Sequence, residues 1–276
     1  MPTLIKLFIL CLTFSYSCFS WAEIDRQTLN KILISSGITA QLNQFPELIK
    51  QGLNAAAKPN QQIPAPMIKM MASTVDDSIL ASEILDGVAL AIKHSLSQEQ
   101  AQQVLHWYES ELGSKITLAE LNASSNSTFR QIIKQSKNLL LNTKLVNFAK
   151  RIDTLYAVTD TTMDMQNISG AGIYMVVMTA LHPSGRASIS QYNTYLNASK
   201  KQLRAAIEQV IILSFVYSYK DLSEQQLSEY EVFLTNEATI KFHRAVVSSI
   251  NTQMSISVAK WADSLMLILR QQLQQS

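Results

Sequence analysis

The chain has 276 residues, 47% hydrophobic and 16% charged, with 23 Lys+Arg against 21 Asp+Glu. No basic run exceeds two residues, which excludes a phosphate-tracking nucleic-acid surface and gives no pull toward anionic lipid. Seven glycines and six prolines are few for this length, and no stretch alternates like a strand, so the composition predicts an all-α fold of long helices.

Residues 1–22 read as a signal peptide. Lys6 supplies the positive charge, residues 7–12 the apolar centre, and Ser20-Trp21-Ala22 a small-x-small cleavage site. Cys18 follows Ser15, not the leucine that a lipoprotein signal places three residues earlier. Cleavage removes Cys11 and Cys18, the two cysteines of the chain, and with them any disulfide, thiol nucleophile or thiolate metal site. The remainder is long enough to be stabilised by a core alone, and a bacterial periplasm is the expected compartment.

Helices are predicted near 26–35 and 38–54, with Gly37 between them and Pro46 placed to kink the second. Pro59, Pro64 and Pro66 make residues 55–66 a connector. A long helix should span 67–94. Ser97 with Gln100 forms a capping box for a helix starting at 98, which breaks around 109–113; further helices follow at 114–121 and 126–156. An apolar helix is predicted at 160–180, a turn at 182–185 and a long helix at 188–219. Ser223 and Gln226 repeat the capping box, with Leu222 and Leu227 as a hydrophobic staple. The last helix should cover 236–272, where Met254, Val258, Trp261, Leu265 and Ile268 recur at three and four as one buried stripe. The apolar stretches at 168–181 and 210–219 are too short to span a membrane, so no membrane span is expected after residue 22.

Residues 96–115 return as 222–241: leucine, serine, glutamine, glutamate and lysine recur at an offset of 126. This predicts a helical bundle of two duplicated units, 23–143 and 144–276, sharing a core or a broad interface about a pseudo-twofold axis. The first copy carries Trp107-Tyr108, Ser110, Gly113 and Lys115 behind its capped helix. That pattern resembles the signature of a family of exported bacterial proteins catalogued as domain of unknown function 2059. The resemblance implies export and a helical fold and supplies no mechanism. The second copy departs from it, with Leu234, Asn236 and Thr239 in place of Tyr108, Ser110 and Gly113.

The residues themselves describe a helix corner. Trp107 and Tyr108 should pack across the bend, Ser110 should cap the next turn, Gly113 should permit a close approach and Lys115 should pair with Glu111. The histidines (His94, His106, His182 and His243) form no ligand spacing, so neither a metal nor a cofactor is expected, and His243 beside Arg244 reads as solvent-facing. Asp160 and Asp164 read as a solvated first turn. Tyr174, Met178 and Tyr217 belong to the core or to a pocket between the units.

With no phosphate loop, nucleophile elbow or dinucleotide fingerprint, a non-enzymatic binding or protein-interaction role is favoured, the partner being an unknown protein or a small apolar ligand. The alternatives are an envelope-associated hydrolase whose carboxylates or histidines only the fold assembles, and a carrier of a small apolar ligand. Mass spectrometry of the exported protein is expected to find Glu23 as the first residue; an intact Met1 in the membrane fraction would contradict the signal peptide.

Overall fold

The computed structural model describes residues 23–55, 65–181 and 188–275. The expected signal peptide, nearly all of the proline connector and the turn at 182–185 lie outside the described residues. Those described form thirteen α-helices and no strand. They are α1 (Arg26–Ser35), α2 (Ile38–Ala55), α3 (Ala65–Ser73), α4 (Val75–Ser78), α5 (Ala81–Ser95), α6 (Gln98–Glu109) and α7 (Glu111–Ala123). Then follow α8 (Asn126–Leu139), α9 (Thr143–Tyr156), α10 (Val158–Leu181), α11 (Ile189–Tyr219), α12 (Glu224–Thr235) and α13 (Glu237–Gln275). The fold is an all-α bundle, and no helix among the described residues is long and apolar enough to cross a membrane.

Three predicted helices are broken differently from expectation, each for a local reason. The span 67–94 is three helices: at the first break Ser73 donates to the Met70 carbonyl at 2.8 Å and Thr74 to that of Met71 at 3.1 Å, competing with the backbone ladder, and the second falls at Ile79-Leu80, where Leu80 is extended. The span 126–156 is two, because the Asn142 side chain accepts from the Leu145 amide at 3.1 Å and starts α9 afresh. The helix after the first corner starts at Glu111, not at 114, because Ser110 is its N-cap.

Helices α6 and α12 begin and end 126 residues apart, each under a complete capping box, Ser97 with Gln100 and Ser223 with Gln226. Beyond each corner the chain crosses over: α7 packs on α11, and α13 packs on α5. The two cores reflect this exchange. One gathers α1 to α6 around the α13 stripe of Met254, Val258, Trp261 and Leu265, all buried. Trp261 there donates from Nε1 to Thr74 Oγ1 at 2.9 Å, so burying the indole leaves no donor stranded. The other gathers Ile116 of α7, Ile132 of α8 and Phe148 of α9 against Leu213, Val216 and Tyr219 of α11 and Phe233 of α12. Neither core is confined to one side of residue 143.

The corner at Gly113 is the tightest joint in this plan. A Cβ there would stand 2.0 Å from the Trp107 carbonyl oxygen, which belongs to the backbone and has no freedom to retreat. Gly113→Ala is expected to destabilise the chain by about 1–3 kcal/mol. Gly52→Ala, in α2 with nothing within 4 Å of the new methyl, should gain up to about 1 kcal/mol. Urea denaturation midpoints check both, and equal midpoints for the two variants would contradict the corner geometry.

Candidate functional site

The corner motif behaves as its residue types require. Ser110 Oγ accepts from the Gly113 amide at 3.0 Å and donates to the Trp107 carbonyl at 2.6 Å, closing the bend from both sides. In the second corner Asn236 takes this place, its side chain accepting from the Ala238 amide at 2.8 Å. The corners face one another. Trp107 lies flat on Phe233, with ring centroids 4.5 Å apart and planes 9° apart, and stacks on Tyr230 at 5.8 Å. Tyr108 meets Phe233 and Phe242 edge-on. Such pairs contribute roughly 0.5–1.5 kcal/mol each beyond the area they bury. Lys115 is exposed and, among the described residues, makes no pair with Glu111; the second corner does form its equivalent, Lys241 with Glu237 at 2.7 Å.

The two helices leaving these corners bring chemistry to one cavity of about 440 Å³. From α7 comes Glu120. Its Oε1 accepts from the Tyr219 hydroxyl of α11 at 2.6 Å and from the Tyr230 hydroxyl of α12 at 2.9 Å. No hydrogen bond among the described residues reaches Oε2, and no cationic side chain pairs with Glu120. The residue is only half-buried by area because it opens on the cavity it lines, yet its carboxyl is closely surrounded by side chains. Burial therefore raises its pKa against the opposing pull of the two hydroxyls. Burial, and next the Glu120 charge, hold Tyr219 and Tyr230 well above the ordinary phenol range, so both remain donors.

From α13 comes His243, which lines the same cavity. Its ring lies 4.3 Å from that of Tyr156, whose hydroxyl donates to the Leu234 carbonyl at 2.6 Å. His243 Nε2 is buried and has no hydrogen-bond partner. Burial lowers the imidazole pKa to about 4, so it is neutral at physiological pH. Tyr156 and Val158 flank Ala157, the one non-glycine among the described residues with a positive φ, 49°. That conformation costs an L-residue roughly 1–2 kcal/mol. It is held by Asp153, whose carboxylate accepts from the Thr159 amide and hydroxyl at 2.7 and 2.8 Å.

The remaining lining is aromatic or aliphatic apart from a few neutral polar side chains, among them Gln41, Thr161 and Ser214. Phe215 stacks on Tyr219 at 5.8 Å, while Thr162 and Ser218 return their hydroxyls to carbonyls of their own helices. No lysine or arginine lines the cavity.

The expected pocket residues go elsewhere. Tyr174 pairs with Tyr192, ring centroids 5.4 Å apart, Tyr217 lies under Lys220 with Nζ 3.9 Å from its ring centroid, and Met178 is half-buried on α10; none of the three lines the Glu120 cavity. His106 lines a separate shallow cleft with Trp107 and Ser110. Asp160 is paired with Arg204 at 3.1 Å. No hydrogen bond joins His94, His106, Lys115 and Asp160 among the described residues. The solvent-facing reading of His243 is overturned: Arg244 beside it is exposed, while its own ring turns inward against Tyr156 and Phe242. Glu120 escaped sequence reasoning, since it is one acid on an ordinary helix whose tyrosines lie 99 and 110 residues later.

No family model, curated protein or solved structure matches the chain.

The burial of His243 sets a pH dependence. Its folded pKa of about 4 lies below the ordinary 6.5, so the imidazole's contribution is complete above pH 6.5 and is lost as pH falls through 6.5 toward 4. The whole difference is at most about 3 kcal/mol. Glu120, with its raised pKa, gives the opposite slope, so the comparison with a variant is the readout. His243→Phe, which keeps an aromatic ring against Tyr156, is expected to lose less stability than the wild type between pH 7 and pH 4 in thermal denaturation. Parallel curves for the two proteins would contradict the buried neutral imidazole.

Proposed function

We propose that this chain is a non-enzymatic binding protein that works after export and holds a small ligand in the cavity between α7, α9, α10, α11, α12 and α13. The observation that carries the reading is the cavity itself: aromatic walls around one carboxylate that keeps an oxygen free, next to a neutral imidazole without a partner. Its volume of about 440 Å³ lies within the range of small-molecule sites, which are mostly apolar with a few polar groups that fix orientation. An activated nucleophile would need a hydroxyl or thiol hydrogen-bonded to its base. His243 has no such partner among the described residues, which favours binding over hydrolysis.

Duplication belongs to the same proposal. The matching bounds of α6 and α12, their paired capping boxes and the stacking of Trp107 on its counterpart Phe233 support two units that arose from one and exchanged their outgoing helices. The cavity then lies where the exchanged helices meet. Export is supported by the pattern of residues 1–22 and by the absence of cysteine from the sequence after it.

Native mass spectrometry of the chain, purified from its own cells without denaturant, is expected to show a small-molecule adduct that disappears on unfolding. Ser214→Phe, which places a ring in the cavity, should remove the adduct from a folded protein. An adduct unaffected by Ser214→Phe, or a bare chain that also shows no thermal shift with any small apolar molecule added, would contradict the proposal.

A further inference from the structure

Glu120 opens on the cavity with one carboxyl oxygen unused. Oε2 has no hydrogen-bond partner among the described residues and is not among the buried atoms that lack one, so it is reachable from the cavity. A carboxylate largely screened from bulk water gains from a cation placed against it. Two tyrosine hydroxyls satisfy Oε1, but no lysine, arginine or charged histidine faces the group from the helices around the cavity. His243, the one basic side chain there, is kept neutral by burial. The polar end of this cavity therefore has negative charge available, no positive charge, and an unused acceptor oxygen. It disfavours carboxylates and phosphates, and the neutral side chains of Gln41, Thr161 and Ser214 offer hydrogen bonds but no charge. It suits a cation small enough to reach Oε2, and the rings of Tyr156, Phe215 and Tyr230 in the same lining are favourable neighbours for an apolar chain attached to it.

Building on the binding reading above, we propose that the ligand is a primary amine with an apolar tail, its ammonium group held at Glu120 Oε2 and its tail against the aromatic and aliphatic walls between α9 and α13. The ammonium supplies the missing cation.

The test is isothermal titration calorimetry of the full exported chain near neutral pH with hexylamine, hexanol and hexanoate, three probes of equal tail and different head. Hexylamine should bind at least about tenfold more tightly than hexanol, the scale of a charge-assisted hydrogen bond, and hexanoate most weakly of the three. Glu120→Gln, which keeps an acceptor for both tyrosines, should bring hexylamine down to the affinity of hexanol. Hexanol binding as tightly as hexylamine, or a preference for hexylamine that survives Glu120→Gln, would overturn the ammonium assignment and leave the binding reading standing. Absence of binding by all three probes would overturn both.

Discussion

Trp107 lying flat on Phe233 is the contact around which the molecule is arranged. Each ring sits at the end of a helix that a capping box has started, and just before a residue, Ser110 or Asn236, that caps the next helix. The stack thus holds two corners face to face, and the corners set the directions in which α7 and α13 depart. Glu120 lies on the first of these helices and His243 on the second. Tyr230 connects the two levels: its ring stacks on Trp107 while its hydroxyl donates to Glu120. Packing at the corner and chemistry in the cavity therefore share a side chain.

The crossing of α7 and α13 explains why neither core belongs to one half of the chain. Each departing helix finds an apolar partner across the molecule, α11 for α7 and α5 for α13, and α13 packs as extensively on α10 of its own half. The consequence is mutual dependence, since neither half can complete a core without a helix from the other. Unfavourable features gather where these helices meet. A buried carboxyl without a cation, an imidazole nitrogen without a partner and an alanine in left-handed backbone all lie at or beside one cavity. Elsewhere the caps of α6 and α12 are complete, the Trp261 donor is satisfied and Ser110 uses both its donor and its acceptor, while Ser36 Oγ and Asn251 Oδ1 are buried without a partner and α4, α5 and α11 start without a side-chain cap. Several exceptions at one cavity mark functional regions more often than folding errors.

What could be read from the sequence was whatever is encoded within one helix turn. Ser97 and Ser223 announced their helices because a cap needs only the next three residues. Gly113 was legible because a corner behind an aromatic pair needs a residue without a side chain. The α13 stripe was legible from its spacing. The long spans at 67–94 and 126–156 misled because the breaks are made by hydroxyl and amide side chains, Ser73, Thr74 and Asn142, which also occur inside helices. The cavity was illegible for a different reason. Glu120, Tyr219 and Tyr230 are unremarkable on their own helices, and only the crossing of α7 onto α11 brings them together. His243 was misread from its charged neighbour, although adjacent positions on a helix point about 100° apart.

The proposed role of the cavity turns on Glu120 being a closely surrounded carboxyl without a cation of its own. A 13C-detected titration of the glutamate carboxyls would measure this directly, with the Glu120 resonance assigned by its absence from Glu120→Gln. In the empty protein it should titrate above the ordinary glutamate value, while the resonances of Glu224 and Glu231, held by Lys144 and Arg151, titrate below it. A Glu120 midpoint at or below the ordinary value would mean that water or a cation already reaches the carboxylate, and the account of the cavity would be wrong.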